Sequence, residues 1–203
     1  IMEHNMLRRL SKLHANNFNS LQVFVSSLKQ IPDDVFANSR LVFAQAENCT
    51  QVGSKSFMNS AWLQVAILPQ VKEIKSQAFQ LCTALAHVCI VNVELIGAAA
   101  FMNCLSLPEI EVSKVRQFGR RTFQFCVALR KVVAPNLNSV DGSAFNNTRF
   151  SGLNLEKVKQ SSQTKLQEYL MCNSFFERVH FRSRVALARS HCRIISKQKA
   201  ALE

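Results

Sequence analysis

The stretch Ile96-Gly-Ala-Ala-Ala-Phe101-Met-Asn-Cys104-Leu-Ser-Leu107 decides the fold of this chain. The same phrase occurs one period earlier, around Phe79, and one period later, around Phe123. Six marker phenylalanines recur along the chain at intervals of 21 or 22 residues: Phe36, Phe57, Phe79, Phe101, Phe123 and Phe145. A fixed period of this length is typical of a solenoid, in which short coils of chain stack on one another.

Within each repeat, apolar residues recur at fixed distances after the marker phenylalanine. Those at +9 and +11 alternate with their neighbours, which predicts a short strand. The apolar residue at +17 is often followed by glycine, as at Gly53, Gly97 and Gly119, where we expect the coil to turn a corner. No coil is large enough to bury its own apolar edge, so stacking should close the core and neighbouring strands should pair in parallel.

This pattern resembles the BspA-like leucine-rich repeat, also called the Treponema pallidum-type repeat. The residues that carry the resemblance are Ile96, Gly97, Ala100, Phe101, Cys104, Leu107, Ile110 and Val112, then Phe118, Gly119, Phe123, Cys126, Leu129, Val132, Ala134 and Pro135. The resemblance implies an α/β-type repeat solenoid, a right-handed coil of about 22-residue turns with a parallel β-sheet on one side. It also implies a binding protein rather than an enzyme.

The two ends of the chain depart from the repeat and set the predicted domain boundaries. Residues 1–17 are interpreted as an N-terminal cap, because Leu7, Leu10 and Leu13 have helical spacing. Residues 18–181 are assigned to the solenoid, with about seven to eight turns, and residues 182–203 to a basic C-terminal helix or tail. Short helical caps should cover the open ends of the core.

Composition limits the partners and the compartment. The 203 residues carry a formal net charge of +12, which favours an acidic partner such as nucleic acid, an anionic membrane or an acidic protein surface. No apolar run approaches the roughly 18 residues of a membrane-spanning helix, and no secretory leader is visible. We therefore expect no membrane span and a cytoplasmic location, with the cell surface as the alternative.

The sequence offers no catalytic or metal-binding constellation. The five histidines are scattered, and neither a phosphate loop nor a nucleophile motif is present. Cys82, Cys104 and Cys126 each follow a marker phenylalanine by three residues, where Ser39 and Ser60 stand in earlier repeats. We interpret these cysteines as small, reduced core residues, and we expect no enzyme activity and no cofactor.

The outward face of the sheet is the first candidate binding surface. If +9 and +11 face the core, +8 and +10 face outward, and the outward residues include Phe24, Phe43, Ile67, His87, Cys89, Glu109, Glu111 and Lys131. The first four repeats then present an apolar column, which usually marks an interaction site. A register shift of one residue would instead place Val65 and Ile67 in the core.

The basic C-terminal segment is the second candidate. Its seven basic residues are Arg178, Arg182, Arg184, Arg189, Arg193, Lys197 and Lys199. Ala188, Cys192, Ile195 and Leu202 recur at helical spacing, so the segment could cap the last coil and present its charges to an acidic partner.

Two classes of function fit these observations. The first is a non-enzymatic scaffold that binds another, acidic protein through the solenoid surface. The alternative is a basic structural subunit of a large complex, fixed on RNA or on an acidic filament such as a microtubule. A cell-surface adhesin is the third hypothesis. Steep salt dependence of RNA binding would separate the second class from the first.

Overall fold

The computed structural model describes residues 22–149, so the predicted caps, the repeats beyond Arg149 and the basic tail lie outside it. The described chain forms six stacked coils, each with two short strands and a run of turns around one marker phenylalanine. We number them coil 1 (22–40), coil 2 (41–61), coil 3 (62–83), coil 4 (84–105), coil 5 (106–127) and coil 6 (128–149).

Twelve strands follow one another along the coils. They are β1 (Val23–Ser26), β2 (Gln30–Ile31), β3 (Phe43–Ala46), β4 (Gln51–Val52), β5 (Val65–Ile67), β6 (Glu73–Ile74), β7 (His87–Cys89), β8 (Leu95–Ile96), β9 (Glu109–Glu111), β10 (Gln117–Phe118), β11 (Lys131–Val133) and β12 (Ser139–Val140). The odd-numbered strands line one side of the coils and pair in parallel, as the repeat predicts, in two sheets, β1-β3-β5-β7 and β9-β11. The even-numbered strands form a second ladder of the same kind, β2-β4-β6-β8 and β10-β12. The described residues contain no helix, so this part of the chain is a β-solenoid rather than an α/β one.

A third set of hydrogen bonds joins the coils through their turns. In coil 3, the N–H groups of Gln77, Phe79 and Leu81 donate to carbonyl oxygens of coil 4 at 2.8 to 3.0 Å. The N–H groups of alternate residues can all point toward the next coil, because residues two positions before and after the marker phenylalanine adopt the left-handed conformation. These are Asp34, Asn38, Lys55, Asn59, Gln77, Leu81, Ala99, Asn103, Arg121, Phe125 and Asn147, with φ between 54° and 61°. Asparagine, which tolerates this conformation, fills +2 in four of the six described coils.

The marker phenylalanines form one continuous stack through the core. Each consecutive pair from Phe36 to Phe145 has ring centroids 5.0 to 5.6 Å apart and interplanar angles of 4° to 19°. All six rings are buried. The stack therefore confirms the role that the spacing of these residues predicts.

The small residue at +3 connects each of coils 2 to 5 to the coil before it. Cys82 Sγ donates to the carbonyl oxygen of Phe57 at 3.0 Å, and Cys104 Sγ to that of Phe79 at 3.2 Å. Ser60 Oγ makes the same bond to the carbonyl oxygen of Phe36 at 2.6 Å, which explains why either serine or cysteine can occupy this position. The position requires a small buried donor rather than a reactive thiol.

Both strand ladders are interrupted between coil 4 and coil 5. Elsewhere the N–H at +7 binds the preceding coil, as Ala86 N does to Gln64 O at 2.9 Å and Arg130 N to Pro108 O at 2.8 Å. Pro108 occupies this position in coil 5 and has no N–H to donate. Phe118 stands where the other described coils have isoleucine or valine, and its ring packs edge-on against those of Phe123 and Phe145, with centroids 5.1 and 5.7 Å apart.

The space around the corner glycines also shows the gap between coils 4 and 5. A Cβ atom on Gly97 would lie 2.4 Å from the backbone nitrogen of Ser76 in the preceding coil, so only glycine permits this approach. A Cβ atom on Gly119 would meet only Thr122 Oγ1 of its own coil, at 3.9 Å. The turn side stays bonded at this level, where Phe101 N donates to Thr122 O at 3.0 Å.

The phenylalanine stack predicts a large cost for removing one ring. Phe101→Ala should lower the free energy of unfolding by about 3–5 kcal/mol, because it leaves a cavity between two neighbouring rings. Leu105→Ala, four residues later on the surface, is the control and should cost no more than about 0.5 kcal/mol. Denaturant titration of both variants measures this, and equal midpoints would contradict the core role of the stack.

The two corner glycines should respond differently to the same substitution. Gly97→Ala should destabilise the fold by about 1–3 kcal/mol, because the methyl group meets the backbone of Ser76. Gly119→Ala should stay within about 0.5 kcal/mol of the parent, since its corner is open. Thermal melts of the two variants test for the gap. A lower melting temperature for Gly119→Ala than for Gly97→Ala would contradict it.

Candidate protein-binding surface

The odd-numbered strands turn alternate residues outward, and these residues form two columns that we call the sheet face. The first column is Val23, Phe43, Val65, His87, Glu109 and Lys131, and the second is Val25, Gln45, Ile67, Cys89, Glu111 and Val133. From coil 2 to coil 6 these are the positions that the repeat predicts to face outward. The alternative register for coil 3 is wrong, because Ala66 and Leu68 are the fully buried residues there.

The prediction that Phe24 faces outward is wrong. Phe24 is 2% exposed, pairs in register with the core residue Ala44, and packs its ring 4.6 Å from that of Phe36. Val23 and Val25 take the outward positions instead, with 55% and 43% exposure. The structure adopts this register because burying the larger aromatic ring against Phe36 removes more apolar surface from water than burying a valine.

The other apolar side chains of the sheet face protrude little from the sheet. Phe43, Ile67 and Cys89 are half-buried, as is His87. Val65 is 7% exposed although its position faces outward, since it lies in the same column between the larger side chains of Phe43 and His87. The apolar half of the sheet face therefore extends over coils 1 to 4, where Gln45 and His87 are its polar members.

Trp62 was not predicted and is the largest exposed apolar side chain among residues 22–149, at the +5 position where the turn of coil 2 ends. It is 62% exposed and lies three residues before the outward Val65. The corresponding residues in the next coils are small: Ala84, Ser106 and Ala128. A lone tryptophan at a position that other repeats fill with small residues is the sequence signal that could have found it.

The sheet face changes character at coil 5. Glu109 and Glu111 are exposed there, and Lys131 is exposed in coil 6 as the register partner of Glu109. The switch from apolar to charged residues falls at the interruption of the ladders between coils 4 and 5. A partner that lies along the sheet face therefore meets an apolar surface first and a charged one next.

The cysteine thiols of the described coils are held in the protonated form. Burial raises the pKa of Cys126 to about 12 and also raises the pKa values of Cys82 and Cys104. The pKa of Cys89 on the sheet face is raised by burial, and the charge of Glu111 adds to this. Protonated thiols are poor nucleophiles and poor metal ligands. Among residues 22–149, no group of His, Cys, Asp and Glu is arranged to hold a metal ion.

The residues predicted for the second candidate surface lie outside residues 22–149. They are Arg178, Arg182, Arg184, Arg189, Arg193, Lys197 and Lys199. The described coils carry 12 of the 25 Lys and Arg and 8 of the 13 Asp and Glu, so most of the net positive charge belongs to the rest of the chain. Within the described range there is also no helix that is long and apolar enough to cross a bilayer.

The fold is similar to those of solved bacterial leucine-rich repeat proteins. A leucine-rich cell surface protein of Faecalibacterium prausnitzii A2-165 is 27% identical with a TM-score of 0.57, over 62% of this chain and 36% of that one. A leucine-rich repeat protein of Bacteroides ovatus gives 22% identity and a TM-score of 0.49, over 78% of this chain and 46% of that one. The Treponema pallidum leucine-rich repeat protein gives 16% identity and a TM-score of 0.47, over 74% and 81%.

The chain thus spans about a third of the Faecalibacterium protein and just under half of the Bacteroides protein. A search of curated protein sequences gave no match. The family model described as "BspA type Leucine rich repeat region (6 copies)" matches residues 9–130 and 50–175, which together cover most of the chain. The chain therefore belongs to the BspA-type leucine-rich repeat family.

Proposed function

We propose that the chain is a non-enzymatic binding module that holds a protein partner against the apolar half of the sheet face. The observation that carries this proposal is the set of outward apolar residues over coils 1 to 4, among which Val23 and Val25 are 55% and 43% exposed, together with Trp62, which is 62% exposed three residues before Val65. Exposed apolar surface of this kind is characteristic of interaction sites, and exposed tryptophan is among the residues that contribute most to binding energy.

The charge pattern favours a protein over RNA at this face. A nucleic acid needs a continuous basic track along its backbone, whereas Glu109 and Glu111 interrupt the sheet face with negative charge. A protein segment with apolar residues opposite coils 1 to 4 and a basic residue opposite coil 5 fits the same pattern. The basic tail then binds the acidic part of the partner, because the tail holds most of the positive charge outside the described coils.

The cell surface is the location that the comparisons favour. The Faecalibacterium protein is described as a cell surface protein, which fits the alternative location, and the comparisons give no support to the cytoplasmic location that the sequence predicts. A surface module that binds a second protein through stacked repeats is consistent with membership of this family. This location and the partner are both parts of the proposal.

Loss of the exposed apolar residues should weaken binding without affecting the fold. The partner is purified from the source cells by its binding to the parent chain, and kinetics are then measured with Val23→Ser plus Val25→Ser and with Trp62→Ala. Each variant should dissociate about tenfold faster or more, because interface changes act mainly on dissociation. Leu95→Ser, which removes an equally exposed leucine from the second ladder, is the control. The proposal fails if Leu95→Ser weakens binding and the sheet-face variants do not.

Charge reversal in the basic tail should change association instead. Arg189→Glu with Arg193→Glu should slow association and flatten its salt dependence, because the tail attracts the acidic part of the partner through long-range electrostatics. Lys29→Glu with Lys72→Glu makes the same charge change on exposed positions of the described coils and is the control. Association rates of both double variants across a salt series measure this. Equal effects would show that net charge, and not the tail, steers the partner.

A further inference from the structure

A second apolar patch lies on the turn side of coils 3 to 5, away from the sheet face. We define it by Leu81, Leu105, Phe125 and Val127, which are 36%, 39%, 37% and 41% exposed. Leu81 and Phe125 occupy the +2 position, and Leu105 and Val127 occupy +4. The hydrogen bonds that join the turns place equal positions of neighbouring coils in register, about 4.8 Å apart. Leu105 and Val127 are therefore direct neighbours, whereas Asn103 lies between Leu81 and Phe125.

Two of these residues place a large side chain on a left-handed backbone, although the fold does not require a large side chain at that position. Leu81 and Phe125 both have φ of 61°, a left-handed conformation that disfavours large side chains. Asn38, Asn59, Asn103 and Asn147 fill the same position in the other described coils. The position therefore accepts asparagine, whereas leucine and phenylalanine leave more than a third of their apolar side chains in water there. A large apolar residue in a disfavoured conformation with part of its side chain exposed is a feature that occurs at binding sites.

The surroundings of the patch are positively charged. Arg121 is exposed in the same turn as Phe125, and Arg149 is exposed one coil beyond Val127, in the same +4 position. The turn segments 77–84, 99–106, 121–128 and 143–149 contain no Asp or Glu. An apolar surface with a basic edge is complementary to apolar side chains flanked by carboxylates.

We propose that this turn-side patch is a second docking site, for a protein segment that combines apolar side chains with Asp or Glu. Each of the four patch residues keeps about three-fifths of its surface covered by the solenoid, so the patch is shallow. A shallow patch suits contact with another protein's side chains, whereas insertion into a lipid bilayer needs side chains that stand clear of the backbone. The site uses other residues than the sheet face and can be occupied at the same time.

The structure suggests variants that remove the patch without damaging the fold. Leu81→Asn and Phe125→Asn install the residue that four of the described coils already carry at this position. Their combination should melt at or above the temperature of the parent, because asparagine tolerates the left-handed conformation. Leu95→Asn removes a leucine that is 57% exposed on the second ladder, and it is the matched control.

The test is a parallel selection of short random displayed peptides on the full-length parent, on Leu81→Asn with Phe125→Asn, and on Leu95→Asn. Peptides recovered by the parent and by the control, but not by the double variant, should combine Phe, Leu or Trp with Asp or Glu. Synthetic copies should bind the double variant about tenfold more weakly, as expected for loss of two central contacts. Arg121→Glu should weaken the same peptides and not those that Trp62→Ala affects.

Three results would overturn the proposal. One is a selection in which the three pools do not differ, and another is a parent-specific pool without acidic residues. The third is binding of the parent to phosphatidylserine vesicles, but not to phosphatidylcholine vesicles, that the double variant loses, which would assign the patch to a membrane surface. None of these results bears on the sheet face, whose proposal is tested by its own variants.

Discussion

The contact between neighbouring coils is the interaction on which the rest of this structure depends. A coil has strands of two to four residues and no second layer of its own, so its apolar side chains and its backbone groups find partners only in the coils before and after it. Three elements make this contact: the two strand ladders, the hydrogen bonds of the turns, and the stack of marker phenylalanines. The spacing of the coils is common to all three, which explains why the rings are nearly parallel and about 5 Å apart.

The interruption between coils 4 and 5 shows that these elements are separable. Pro108 lacks the N–H that joins the strand sides elsewhere, while the hydrogen bond from Phe101 to Thr122 and the ring stack keep the turn side together. The interruption also divides the sheet face into an apolar half, which ends near Cys89, and a charged half, which begins at Glu109. A partner that spans both halves therefore crosses the junction that has the fewest strand hydrogen bonds to resist bending.

Repetition constrains the inward positions and leaves the outward ones free to differ. A side chain that faces the core must match the coils on either side of it, which is why phenylalanine recurs at the marker position and a small donor at +3. The residues of the sheet face have no such partner requirement, and they run from Val23 to Lys131 without a repeat of their own. The +2 position is intermediate, because its backbone needs a left-handed conformation while its side chain lies at the surface. Asn103 meets both conditions, and Leu81 and Phe125 depart from them.

The sequence by itself determined the period, the ring stack, the buried cysteine column and the outward positions of coils 2 to 6. These features could be predicted because each is repeated at 22 residues, and any one copy is supported by its neighbours. Trp62, Leu81 and Phe125 form no pattern in the sequence. Their significance depends on their exposure and, for Leu81 and Phe125, on the backbone angle φ, which only the structure provides. The second ladder was missed because strands of two residues leave no periodic signal.

Only the tertiary structure decided the register of the first strand and the gap between coils 4 and 5. Phe24 precedes Phe36 by 12 residues, whereas its register partner Ala44 precedes Phe57 by 13. Counting back from Phe36 therefore cannot tell whether Phe24 or its neighbours face the core, and ring packing against Phe36 settles it. The gap likewise depends on whether the neighbouring coils can compensate for the hydrogen-bond donor that Pro108 lacks. Such questions concern the fit between coils, and that fit exists only once the coils have stacked.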